Sequence, residues 1–280
     1  MKISTFVDIY YNHRLKKANF FKKIYIYLII PVNYFIEKIN YPKIINLDEY
    51  ANDNKKFFKK NLNFLFEYFN SDKGNKFINQ YARFSKKNNK LIKGHKYAAF
   101  YEMFIKKLKK KRLNILELGS FKGNATASLF FYFKNSFIYS LDLYPDLFIY
   151  KSKRIKNFKI DNSSEKELLS LSKTTKYDLI IEDAGHYLKD QIITLFTLFP
   201  KLKKKGIYVV EELDFPDTRK DMNLTIDKNT LYNILKLIKK KKNFSSPYIS
   251  EDKKKYFMKN YKYIKIYKGR FNKIAFIIKK

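Results

Sequence analysis

The chain has 280 residues, 45% hydrophobic and 18% aromatic, which excludes a disordered tail and suits one α/β domain of ordinary size plus an extension. It has no cysteine, which excludes disulfides, thiolate metal sites and a cysteine nucleophile. Its formal net charge of +34 is carried by lysines spread along the whole chain, alongside abundant Asn, Ile, Phe and Tyr whose codons are A/T-rich, so it reads mainly as a solvated basic surface and only secondarily as a polyanion site.

Met1–Tyr11 lacks the basic start and apolar run of a secretory signal. Phe20–Ile36 (FFKKIYIYLIIPVNYFI) is the nearest approach to a membrane segment, but Lys22 and Lys23 interrupt it and Pro31 should break it. It is also short for a span of ~20 apolar residues. It reads as a packed helix or, with its flanking lysines, as a peripheral membrane contact. The expected location is the cytoplasm or, through 20–36, the inner membrane surface. Residues 1–65 read as a helical extension with polar turns such as Asn52-Asp53-Asn54, and 66–280 as the main domain. The stretch from 66 to about 110 ends in a helical run, Tyr97–Leu108.

From Leu113 onward, strands and helices alternate. Strands are expected at Leu113–Leu118, Phe137–Asp142, Phe158–Ile160, Tyr177–Glu182 and Gly206–Val210. Helices are expected at Ala125–Phe133, Ser164–Leu171, Leu188–Phe199 and roughly Asn229–Lys241. Two alternating segments, Tyr263–Tyr267 and Lys273–Ile278, flank a turn containing Gly269 and read as an antiparallel hairpin. The sum is an α/β fold with a seven-stranded, mostly parallel sheet, helices on both faces and a C-terminal hairpin.

In such sheets ligands bind beyond the carboxyl ends of the strands. Glu117, Gly119, Ser120 and Gly123 lie in E-L-G-S-F-K-G after the first strand; Asp142 ends the second; Asp161 and Asn162 follow the third. Glycines let backbone turn tightly and approach a ligand closely. The loop lacks the third glycine of the dinucleotide fingerprint. It resembles the E/D-x-G-x-x-x-G loop of class I methyltransferases, and the terminal hairpin suits their Rossmann-like fold. That resemblance implies S-adenosylmethionine, its ribose on Asp142 and its adenine near Asp161 and Asn162. The bland alternative is that Glu117, Asp142 and Asp161 cap turns and helices.

A second set of residues ends the fourth and fifth strands. These strands should be neighbours, with ends ~5 Å apart, so Asp183 should face the pair Glu211-Glu212 across one cleft. Three carboxylates so close repel one another unless a cation sits among them. Mg²⁺ is the natural candidate, since it takes oxygen ligands and few histidines are present. His186, three residues past Asp183, titrates in the range of a general base and can take the proton of an acceptor hydroxyl. The alternatives are that His186 merely starts a helix, that Asp183 binds cofactor or caps that helix without metal, and that Glu212 is a solvated neighbour of Glu211.

The segment Asp178–Leu213 resembles metal-dependent sugar O-methyltransferases of the macrolide-glycoside type and related enzymes of polysaccharide and antibiotic pathways. Their D-D-G-S-H reads E-D-A-G-H here, Glu182–His186, and their acidic pair lies in V-E-E-L, Val210–Leu213. SDKGNKF (71–77) and HKYAAFYE (95–102) resemble the same family's lead-in. The resemblance spans roughly Ser71 to Pro216. It implies Mg-assisted O-methylation of a glycan or small-molecule acceptor. Three departures bear on metal geometry and substrate: Glu182 for Asp, Ala184-Gly185 for Gly-Ser, and Glu212 for Asp. Two other readings stay open: a nucleic-acid methyltransferase, resting on charge alone, and a hydroxylase-like or binding protein on the same fold. The acceptor's identity and any homo-oligomeric state are not legible.

Overall fold

The computed structural model describes residues 1–86, 90–171 and 175–280. Seven strands form the central sheet: β1 (Asn114–Leu118), β2 (Phe137–Asp142), β3 (Ile155–Lys159), β4 (Tyr177–Glu182), β5 (Leu202–Val210), β6 (Tyr261–Lys268) and β7 (Lys273–Lys279). Their order is β3-β2-β1-β4-β5-β7-β6. β1 to β5 run parallel; β7 pairs antiparallel with both β5 and β6. The expected mostly parallel sheet with a C-terminal hairpin is present. Buried apolar runs explain why β1, β2 and β4 form where they were expected. Leu116 and Ile180, for example, are neighbours in register and fully buried.

Two of the parallel strands are longer than expected. β3 begins at Ile155 rather than Phe158 because it is a sheet edge, with Lys156, Phe158 and Lys159 exposed, so its apolar pattern is thin. β5 begins at Leu202, its first half carrying Lys203–Lys205 on partly exposed backbone ahead of the buried run Gly206–Val210.

The helices are α1 (Ile3–Tyr10), α2 (Asn12–Lys17), α3 (Phe20–Asn40), α4 (Leu47–Asp53), α5 (Leu62–Tyr68), α6 (Ala98–Ile105), α7 (Asn124–Tyr132), α8 (Glu165–Ser170), α9 (Leu188–Leu198), α10 (Phe215–Thr218), α11 (Leu231–Lys239) and α12 (Glu251–Asn260). Ser164 caps α8 through its hydroxyl, and Thr230 caps α11. On one face of the sheet, α5, α6 and α7 share a core with Ile115, Ile181 and Phe276. On the other, α9 and α11 bury Leu195, Phe196 and Ile234 against Leu116 and Tyr208.

The N-terminal region divides in its packing. α4 and α5 belong to the main core through Leu47, Ala51, Leu62 and Leu65. α1 to α3 form a small separate cluster around Phe6, Tyr11, Ile26 and Ile30. One expectation is corrected here. Pro31 does not break its helix; α3 runs through it without interruption to Asn40. A proline forfeits one backbone bond and crowds the carbonyl four residues back. Both Pro31 and Tyr27 face solvent, where water can take the freed carbonyl. Among the described residues, no helix is long and apolar enough to cross a membrane.

The aromatic seam between the N-terminal helices and the sheet centres on Phe131 of α7. Its ring lies 5.6 Å from that of Phe57, 5.1 Å from Phe58 and 5.3 Å from Phe69, the last stacked. Phe131→Ala should therefore cost about 3–5 kcal/mol of stability. Leu28→Ala, on the open face of α3, should change it by less than about 0.5 kcal/mol. Chemical denaturation of the two variants checks this; equal losses would contradict the packing described.

Candidate active site

The strand order reverses between β1 and β4, and the loops after β1, β2 and β4 meet there. They border a cleft of about 1000 Å³, its open mouth included, lined by Glu117, Gly119, Ser120, Asp142, Asn162, Asp183 and His186 among others. Gly119 and Gly123 both have φ in the left-handed region, at 83° and 85°. At Gly119 a second constraint applies: a Cβ would stand 1.9 Å from the carbonyl oxygen of Asp183. Only glycine lets the loop after β1 touch the loop after β4.

Asp142 ties the first of these loops to the second. Its carboxylate accepts from the backbone N–H of Phe121 at 2.7 Å and of Tyr144 at 2.8 Å. Burial raises its pKa, and these backbone bonds oppose the rise. Glu117 is fully buried beneath the loop and accepts from the Thr126 hydroxyl. Burial pushes its carboxyl up to about 7. Ser120 Oγ and Asn162 Nδ2 border the cleft as buried polar atoms with no protein partner. Buried polar groups normally have partners, so these two atoms suit a polar ligand in the cleft. Asp161 lies outside the cleft wall; its carboxylate accepts from the N–H and hydroxyl of Ser163, and its own N–H donates to Glu167.

Asp183 and His186 line the same cleft, and the buried Glu211 and Glu212 lie behind them. Asp183, His186 and Glu212 each offer a ligand atom within 4.8 Å of the others. His186 Nε2 lies 3.6 Å from Asp183 and 3.8 Å from Glu212. His186 and Glu212 are non-glycine residues held at left-handed φ, 56° and 43°, as is Phe121 at 47°. Such strain persists only where neighbours enforce it, and it concentrates at functional sites.

Glu211 is placed differently. It faces Lys73, whose ammonium is buried and bridges Glu211 Oε2, at 2.8 Å, and Asp183. Burial alone would lower the pKa of Lys73, but the Asp183 and Glu211 carboxylates outweigh it and hold the lysine well above its usual range. The Tyr101 hydroxyl also donates to Glu211. His95 Nδ1 lies 3.2 Å from Glu212, and the Tyr97 hydroxyl 3.4 Å. The lysine thus bridges two of the three carboxyls, and Glu212 has only His95, His186 and Tyr97 beside it. Burial, then the Asp183 charge, pushes Glu211 up to about 8 and Glu212 well above the carboxylate range. Such an under-neutralised oxygen cluster suits a divalent cation.

Sequence reasoning did not assign roles to Lys73, His95, Tyr97 or Tyr101. All four lie in the two lead-in segments, 71–77 and 95–102, which are clasped together: His95 N–H donates to the Asp72 carbonyl at 2.6 Å and Tyr97 N–H to that of Lys73 at 2.9 Å. Arg270, in the turn between β6 and β7, locks the clasp by donating to the carbonyls of Asn75 and Gly94.

Solved structures confirm the architecture. The chain aligns with the MycE methyltransferase from the mycinamycin biosynthetic pathway in complex with Mg and SAH, with a TM-score of 0.59 and 19% identity over 79% of this chain and 54% of that one. The same enzyme with Mg, SAH and mycinamycin VI gives a TM-score of 0.58 at 16% identity. This is the class I methyltransferase fold. A curated relative, the 8-demethyl-8-alpha-L-rhamnosyl tetracenomycin-C 2'-O-methyltransferase of Streptomyces olivaceus, is 26% identical over 127 residues, 42% of this chain and 33% of its own. The chain therefore spans a third of that relative's length and about half of MycE. No protein-family model matches. The resemblance to macrolide-sugar O-methyltransferases expected from the motifs is present in both comparisons.

The buried Glu117 makes stability depend on pH. Its pKa of about 7 in the fold exceeds the ordinary 4.5, so the folded state keeps a proton that the unfolded chain releases. The stability it allows is present below pH 4.5 and falls as pH rises to about 7. Glu117→Gln removes that slope. Relative to the unmodified chain, the variant should gain on the order of 3 kcal/mol between pH 5 and pH 8. Parallel stability curves in urea titrations would contradict the burial of an ionisable Glu117.

Proposed function

We propose that the chain is an S-adenosylmethionine-dependent O-methyltransferase acting, with Mg²⁺ assistance, on a sugar hydroxyl of a glycoside or surface-polysaccharide precursor. The observation that carries this reading is the contact between Gly119 and Asp183. It joins a cofactor-type loop and an acid–histidine cluster in one cleft. The sugar-modifying relative and the mycinamycin-bound neighbour support the acceptor class.

Asp142 is positioned to accept from ribose hydroxyls, and Asn162 and Ser120 offer unpartnered polar atoms to the rest of the cofactor. The bound cofactor supplies an electrophilic methyl group. Asp183 and Glu212 would hold Mg²⁺, with Glu211 behind them on Lys73; the ion would make an acceptor hydroxyl more acidic. Mg²⁺ prefers oxygen, which leaves His186 free as a base. Burial lowers the pKa of His186, although Asp183 opposes this, so the imidazole is neutral near pH 7 and able to accept a proton. With S-adenosylmethionine bound as methyl donor, His186 would take the proton that the acceptor hydroxyl gives up on methylation.

Two measurements separate the roles. Mn²⁺ titration followed by electron paramagnetic resonance, with S-adenosylhomocysteine present, should show one site that Asp183→Asn weakens at least about tenfold. His186→Gln should keep that site but lower methyl transfer to a panel of aryl glycosides by roughly 10²–10⁴. Methyl transfer that survives complete chelation would remove the metal from the reading. Loss of Mn²⁺ in His186→Gln would make the histidine a ligand instead of the base.

A further inference from the structure

α3 is apolar on two opposite sides, and only one of them is covered. Ile26 and Ile30 face the small N-terminal core. Glu37, on the same side, accepts from the N–H groups of Phe84 and Ser85 at 2.7 and 2.9 Å. At about 100° per residue, Phe21, Ile24, Tyr25, Leu28, Val32, Phe35, Ile36 and Ile39 fall on the opposite half of the helix. These side chains stand in solvent: Phe21 is 80% exposed, Leu28 70% and Ile39 68%. A helix apolar all round is normally buried on every side. A continuous apolar strip of this length marks an interaction surface.

The charges around the strip identify its partner. Between Arg14 and Ile44 there are seven cations (Arg14, Lys16, Lys17, Lys22, Lys23, Lys38 and Lys43), all exposed. The only acid in that stretch is Glu37, which is buried. A second copy placed on this face would set lysine against lysine, and each copy carries a formal charge of +34. Anionic phospholipid satisfies both features, since acyl chains take the apolar strip and headgroups take the lysines. α3 is not apolar enough to span, so it would lie in the plane of the interface.

We propose that α3 docks the protein on an anionic membrane surface, with the face Phe21–Ile39 inserted below the headgroups. The docked unit adjoins the cleft. Lys2 N–H and the Thr5 hydroxyl of the N-terminal cluster donate to Asp146 at 2.5 and 2.9 Å, close to Tyr144 at the cleft rim. On the methyl-transfer reading, from which this one consequence follows, such docking suits an acceptor that is itself membrane-anchored. The docking itself does not depend on that reading.

The test uses the full chain and vesicles of phosphatidylcholine with or without phosphatidylglycerol. The unmodified protein should sediment with the anionic vesicles. Leu28→Gln/Val32→Gln/Phe35→Gln keeps the net charge and should bind at least about tenfold more weakly, with an unchanged thermal midpoint showing that it folds. The chain contains no tryptophan, so Leu28→Trp reports alone; its emission should shift to the blue on adding anionic vesicles. Equal binding by the triple variant, or unmoved emission, would reduce the effect to surface charge and overturn the proposal. So would a dimer in sedimentation velocity that the triple variant turns into monomer, since a second copy would then own the face.

Discussion

The site depends on one buried ammonium. Lys73 reaches from a loop that precedes the sheet to bind Asp183 at the end of β4 and Glu211 at the end of β5. A lysine removed from water is costly unless its charge is met by well-placed partners. Here two carboxylates meet it. The arrangement divides the acids. Glu211 and one oxygen of Asp183 face the lysine; the other oxygen of Asp183 faces His186, which borders the cleft and has the buried Glu212 beside it. The lysine also fixes its own loop over the strand ends, so the lead-in segments become a wall of the site.

Contacts from neighbouring elements explain how strained backbone is tolerated around the site. Phe121, His186 and Glu212 hold left-handed φ without being glycine. Each is restrained from outside its own loop. The Phe121 N–H is held by Asp142, His186 packs edge-on against Phe215, and the Glu212 carbonyl accepts from Gln191 at 3.2 Å. The close approach of Gly119 to Asp183 then brings the cofactor-type loop against the loop that carries Asp183.

Much of this was legible from residue pattern. β1, β2 and β4 are short, mostly apolar runs ended by a glycine turn or an acid, and their length and flanking residues mark them as strands. The pattern understates β3 because an exposed edge needs few apolar residues, and α3 tolerates Pro31 because a lost bond matters less where carbonyls meet water. Lys73 was illegible for a different reason: its bond to Asp183 spans 110 residues, and nothing local marks a lysine in a polar loop as buried. The roles of Glu211 and Glu212 were equally hidden. Adjacent strand residues normally point to opposite faces. The backbone turns at Glu212, and both side chains end up buried.

The most direct test of the account is calorimetric titration with S-adenosylhomocysteine on the unmodified chain and on Asp142→Ala. The account predicts binding in about the micromolar range that Asp142→Ala abolishes while leaving the fold intact. Failure of the unmodified chain to bind, with or without Mg²⁺, would contradict it; so would a variant that binds as tightly as the unmodified chain.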